Sequence, residues 1–260
     1  MVELAPHEPA AVEVVRAHGR SPFFLTCDHA SKRIPESLSG LGLPDHEIDR
    51  HIGWDIGAAA VAHSISEAFD ATLVLQGYSR LVIDCNRQPH VESSIPAVSE
   101  ATEVPGNVGL DAEAAAQRKK TIFAPYHTEI SARLEERHAR QQRSVLVALH
   151  SFTPVYHGAS RPWQIGIQYN REPGLSRCMI AELSTDESLC IGDNQPYSVS
   201  DKTDYTIPVH AEGRGLPHLL IELRHDLIAD EAGQSFWAQR LIETLPAALA
   251  RFDDQTANSG

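Results

Sequence analysis

Ser144–Phe152 reads SVLVALHSF, a short apolar run that passes straight into His150. A run of this length and composition is the pattern of a strand buried on both faces, as in a parallel sheet. Pro217–Arg224 (PHLLIELR) has the same form, with Glu222 embedded in it. A third stretch, Phe23–His29 (FFLTCDH), ends on Asp28 and His29. In open α/β sheets ligands bind at the carboxyl ends of strands. His29, His150 and Glu222 are therefore expected to meet at one edge. Two strand-end histidines beside a buried carboxylate predict a metal-assisted hydrolase.

The 260 residues are 42% apolar, enough for a sizeable core, and the chain reads as a single domain over 1–260. A net charge of −13 argues against nucleic acid as a partner but is compatible with a small anionic substrate met by a few arginines. No stretch approaches the ~20 apolar residues of a membrane span. The N-terminal MVELAPHEPAAVEVV has no basic segment followed by an apolar one, so no secretory signal is read. The four cysteines show no C-x-x-C spacing, and Cys27 and Cys85 follow apolar runs, as buried reduced thiols do. A cytoplasmic location is expected. Nothing in the sequence speaks to oligomeric state.

Outward from these strands, periodicity and turn signals predict alternating elements. Helices are expected near Pro9–His18, over Ile52–Phe69, over Asp111–Gln142 with a kink at Pro125, over Met179–Leu189 and over Glu231–Arg251. Strands are expected at Pro22–Thr26, Ala71–Gln76, Leu81–Asp84, Ser144–Leu149, Trp163–Tyr169 and Pro217–Ile221. Two long polar loops, Gln88–Gly109 and Asn194–Gly215, lie between them. The alternation predicts an α/β fold with a mixed, mostly parallel central sheet.

A catalytic zinc takes three protein ligands and keeps one position open. His29 and His150 supply two. Asp55, in Gly53-Trp54-Asp55-Ile56-Gly57, opens a helix at the same edge and is the candidate third, although a first-turn acid also needs no function there. Asp28 is the other candidate, but strand alternation turns it away from His29. Glu222 is costly to bury without a partner. It is either an ion pair with Arg224 or a general base. Arg80 and Arg87 flank Leu81–Asp84 with Asn86 beside them, a set suited to gripping a carboxylate in a bidentate fork. Arg224 is a further candidate for substrate binding, and Asp84 is expected to pair with an arginine. Tyr126 and His127 either orient a ligand or form a surface pair.

The segments CDHASKRIP, GWDIGAAA, YSRLVIDCNRQP, LHSFTP, GDNQPYS and IPVHAEGRGLPHLLIELRHDL, in this order over roughly residues 20–230, resemble the N-formylglutamate amidohydrolase family. That family is similar in fold to the zinc carboxypeptidases, a three-layer αβα, phosphorylase/hydrolase-like architecture. The resemblance implies His29 and His150 as zinc ligands, Glu222 as the base, and Asn86 and Arg87 as binders of the α-carboxylate. It implies a divalent metal, zinc first. Arg80 is the candidate catalytic group that donates to the oxyanion beside that metal. One position departs: the carboxypeptidases place a glutamate ligand three residues after the first histidine, and here that residue is Lys32. The implied reaction is hydrolysis of an N-formyl or N-acyl amino acid, with N-formylglutamate the leading substrate. Arg33, Arg80, Arg161 and Lys202 are available for its second carboxylate. The rival readings are a peptidase- or amidase-like hydrolase of short peptides, and a non-catalytic binder of an acidic metabolite.

Overall fold

The computed structural model, which describes residues 2–258, lays seven strands into one mixed sheet. They are β1 (Val12–Val15), β2 (Phe23–Cys27), β3 (Thr72–Gln76), β4 (Val145–Phe152), β5 (Ile165–Gln168), β6 (Ile191–Asp193) and β7 (His218–Arg224). Their order in space is β1-β3-β2-β4-β7-β5-β6. Strands β3, β2, β4 and β7 run parallel, β1 is antiparallel to β3, and β5 and β6 run together, antiparallel to β7. The long helices are α1 (Ala58–Phe69), α2 (Ala112–Arg118), α3 (Ala124–Ala139), α4 (Gly174–Leu183) and α5 (Glu231–Ala257). This is the expected three-layer α/β fold. No helix among the described residues is long and apolar enough to cross a membrane.

Every residue of β4 is buried, which is why it reads as an uninterrupted apolar run. Val145, Val147 and Leu149 pack with Leu219, Ile221 and Leu223 of β7 into the core beneath α1, α4 and α5. Leu146, Ala148 and Leu220 face the opposite core, closed by α3 and by a buried π-helical turn at Thr206–Ala211. Alternation carries His150 and Glu222 onto this second face. The register sets Glu222 directly beside His150.

Several elements differ from expectation for identifiable reasons. Pro9–His18 holds a strand, β1, because Val12-Glu-Val-Val15 alternates and is β-branched, and it pairs along β3. Leu81–Asp84 is not a strand; it is a buried run of turns, with Val82 N–H bonded to the Ser79 carbonyl at 3.0 Å and Arg87 N–H to the Asp84 carbonyl at 3.2 Å. Burial alone had made it strand-like. Helix α1 starts only at Ala58 because Gly57 takes φ +79°, and a side chain there would meet the Ile228 carbonyl at 2.1 Å. A π-helical turn at Lys119–Phe123 joins α2 to α3 and sits just before Pro125, which occupies the first turn of α3. Helix α4 lies earlier than Met179–Leu189, and β6 follows it unforeseen. Asn194–Gly215 is not simply a loop, since its second half forms the Thr206–Ala211 turn.

Candidate active site

Three chain segments are stitched together at the carboxyl edge of the sheet. The Asp55 N–H bonds to the His29 carbonyl at 3.0 Å, the Arg80 N–H to the Gly53 carbonyl at 3.2 Å, and the Ser79 hydroxyl to the same carbonyl at 2.7 Å. Residues 28–33, 53–55 and 79–84 are therefore tied into one unit, with β4 and β7 beside them.

Within this unit His29, Asp55 and His150 turn one ligand atom each toward a common point, all within 4.8 Å of one another. Asp55 Oδ2 lies 3.2 Å from His29 Nδ1 and 2.8 Å from His150 Nδ1. The outer ring nitrogens are also held: His29 Nε2 is 2.8 Å from Asp84 Oδ1, and His150 Nε2 is 2.9 Å from Asp28 Oδ2. A histidine whose Nε2–H donates to a carboxylate presents the Nδ1 lone pair inward, the arrangement that metal-binding histidines use. Two imidazole nitrogens and one carboxylate oxygen, all buried, suit a divalent metal and leave room for a further ligand. The donor set fits the group that the sequence predicted, and Asp55 supplies the third converging oxygen that Lys32 does not. Lys32 itself lies outside, paired with Asp49.

The electrostatics describe a cage built around positive charge. Burial pushes the Asp28 carboxyl up, but the hydrogen bond and charge of His150 outweigh it and hold the group at about 2. Burial is likewise overcome at Asp55 by His29 and His150, and at Asp84 by Arg80 and His29, so both stay well below the usual carboxylate range. Burial opposes charge on His150, yet Asp28 and Asp55 raise it well above an ordinary histidine. Asp28 also accepts hydrogen bonds from Tyr126 at 2.8 Å and Thr206 at 2.7 Å. Tyr126 thus acts on the partner of His150. His127 bonds instead to the Cys85 carbonyl and to His210. Asp28, turned away from His29 as alternation required, serves His150 because the chain leaves β2 at Cys27 and turns.

Glu222 lines the cleft beside this cage and makes no ion pair with Arg224. Its Oε2 is buried without a hydrogen-bond partner. Burial raises its carboxyl to about 7, with the nearby His150 charge pulling the other way. Its neighbour on β5 is Gly166. A side chain at Gly166 would meet the Gln195 carbonyl at 2.0 Å, so glycine here lets the 195–197 segment cross the sheet and lay Tyr197 in the cleft. Arg161 holds that ring, donating to the Tyr197 hydroxyl at 2.9 Å.

The cleft, about 280 Å³, also takes in Arg80, Asn86 and Arg87. Arg80 bonds Asp84 Oδ2 through Nη2 at 2.7 Å and reaches Asp55 Oδ1 at 3.3 Å. This is the arginine pairing expected for Asp84. Asn86 Oδ1 accepts from the Thr206 N–H at 3.1 Å, which leaves its NH2 to donate. Arg87 is braced by Asp204 at 2.6 Å. Arg224 is a correction: it does not line the cleft, because the chain turns at the end of β7 and Asp226 takes its guanidinium at 2.8 Å. Arg33, Arg161 and Lys202 do not line it either. Tyr197, Gln168 and His51 do, and sequence reasoning singled out none of them. Tyr197 lies inside the quoted GDNQPYS segment, so a signal was present, whereas Gln168 and His51 carried none.

A family model for N-formylglutamate amidohydrolase matches residues 21–229. A solved gene product of Agrobacterium tumefaciens is 40% identical, with a TM-score of 0.93 over 96% of this chain and 99% of its own. An N-formylglutamate amidohydrolase from Ralstonia eutropha is 18% identical and shares the fold, with a TM-score of 0.65 over 93% of this chain and 98% of its own. No curated protein matches the chain.

Proposed function

This chain belongs to the N-formylglutamate amidohydrolase family, and on that footing we propose that it hydrolyses the amide bond of an N-formyl or N-acyl amino acid, N-formylglutamate first, using a divalent metal, zinc first. The observation that carries this reading is the His29–Asp55–His150 cage beside an unpartnered, buried Glu222. A metal bound there would supply Lewis acidity to the acyl carbonyl and lower the pKa of the attacking water.

The remaining roles belong to the protein. Asn86 NH2 and the Arg87 guanidinium bind the α-carboxylate and fix the amide over the cage. Glu222 takes the proton of the attacking water on a carboxylate oxygen. The same oxygen then delivers that proton to the leaving amine nitrogen. Arg80 faces the oxygen that gains negative charge and donates to it. Asp28 and Asp84 hold the two imidazoles in orientation.

Release of free amine from N-formylglutamate, other N-acyl amino acids and short peptides, measured with the metal-loaded protein, tests the reading; no turnover of any N-acyl amino acid contradicts it. Arg80→Ala is expected to lower kcat by roughly 10²–10³-fold, the usual loss for one oxyanion donor. Because Arg80 also braces Asp84 and Asp55, metal content is measured in parallel. Full kcat in that variant would remove Arg80 from the mechanism.

A further inference from the structure

Gln168 closes β5 and lines the cleft, yet it is 3% exposed and its Nε2 has no hydrogen-bond partner. Leaving a buried amide donor unpaired costs a folded protein free energy, so an orphan of this kind inside a cleft points to a ligand that completes it. The strand register says where that ligand sits. Gln168 pairs with Leu220, and Gly166 with Glu222. Paired residues share a face, as do residues two apart. Gln168 is therefore on the face of Glu222 and His150, one step further from the carboxyl edge, in the floor of the cleft.

The charges around it narrow the chemistry. Of the lysines and arginines described, Arg80 and Arg87 alone line the cleft, and each already faces a carboxylate, Asp84 and Asp204 respectively. The floor therefore offers a neutral donor and no free cation. With the amide over Glu222 and the α-carboxylate at Asn86 and Arg87, the part of an N-acyl amino acid left to reach the floor is its side chain.

We propose that Gln168 determines specificity by donating a hydrogen bond from Nε2 to an oxygen acceptor at the end of the substrate side chain, a carboxylate or a carboxamide, and so selects such side chains over apolar ones. This rests on the N-acyl amino acid reading above. A site built to pair a polar group rejects analogues that lack it, because its own buried donor is then left unmade.

The test compares N-formylglutamate, N-formylglutamine and N-formylnorleucine with the metal-loaded wild type, Gln168→Met and Gln168→Glu. The expected wild-type result is a higher kcat/KM for the two acceptor side chains. In Gln168→Met the ratio of acceptor to norleucine substrates should fall by about tenfold or more, chiefly through KM. In Gln168→Glu, which presents an acceptor and a negative charge, glutamate should lose against glutamine. The Glu variant also keeps the test open if the Met variant does not fold, as read by thermal melting. Both variants lowering all three substrates in proportion, or changing none, overturns the role of Gln168. A wild type that hydrolyses none of the three overturns the functional reading itself, and the role of Gln168 with it.

Discussion

Glu222→Gln is expected to lose turnover by roughly 10²–10⁴-fold, the range for removing a general base, while retaining its metal. Glutamine keeps the shape of the side chain and cannot take a proton. Metal retention follows from geometry, because the converging ligand atoms come from His29, Asp55 and His150, not from Glu222. The same substitution has a stability signature in protein stripped of metal. Burial raises the folded-state carboxyl from 4.5 to about 7. Below 4.5 the group is protonated folded or unfolded and contributes nothing to the pH dependence. Between 4.5 and 7 the unfolded chain ionises first, so wild-type stability falls as pH rises, and the penalty is complete above 7. The neutral amide of the Glu222→Gln variant avoids that penalty. The stability difference between variant and wild type should therefore shift in the variant's favour by roughly 1–3 kcal/mol from pH 5 to pH 8. Denaturant midpoints at the two pH values check this. Turnover within a few-fold of wild type would place the base elsewhere.

His150→Ala is expected to lose both the metal and the activity. The substitution deletes one of the three candidate ligands and also strips Asp28 of the partner that holds its carboxyl at about 2. Breaking a buried, charged pair from one side is costly, of the order of 3–5 kcal/mol, although Tyr126 and Thr206 still donate to Asp28. A lowered melting temperature is therefore part of the expected result. His150→Gln, which keeps a polar group against Asp28, should fold better and lose the metal all the same. Elemental analysis of the folded protein is the check, and near-wild-type metal in His150→Gln would exclude His150 as a ligand.

His150 and Glu222 were legible because each is a polar residue that follows or interrupts an apolar run of a buried strand, where burial demands a reason for it. The strands beside them, β2 and β5, were legible to within a residue or two, the helix ends less so: α1 starts at Ala58 and not Ile52, α4 covers Gly174–Leu183 and not Met179–Leu189, and α5 runs on to Ala257. What escaped depends on contacts distant in sequence. Leu81–Asp84 is as apolar as a strand, and its turns show only in its bonds, Val82 N–H to the Ser79 carbonyl and Asp84 N–H to the Ser94 carbonyl. Arg224 has the spacing to share the face of Glu222, but Asp226 draws it off where the strand ends. Asp28 was readable as an alternative third ligand beside His29, not as the partner of a histidine 122 residues away. Tyr197 reaches the cleft only because Gly166 leaves room for the Gln195 carbonyl. Gln168 is an ordinary glutamine until strand pairing sets it on the face of Glu222.

Hydrolysis of N-formylglutamate before chelation, after chelation and after zinc is restored tests the central claim most directly, with metal content measured on each sample. The expected result is about one ion per chain in the active protein, activity lost with the ion, and activity regained with zinc. Undiminished hydrolysis by protein shown to be free of metal would contradict it.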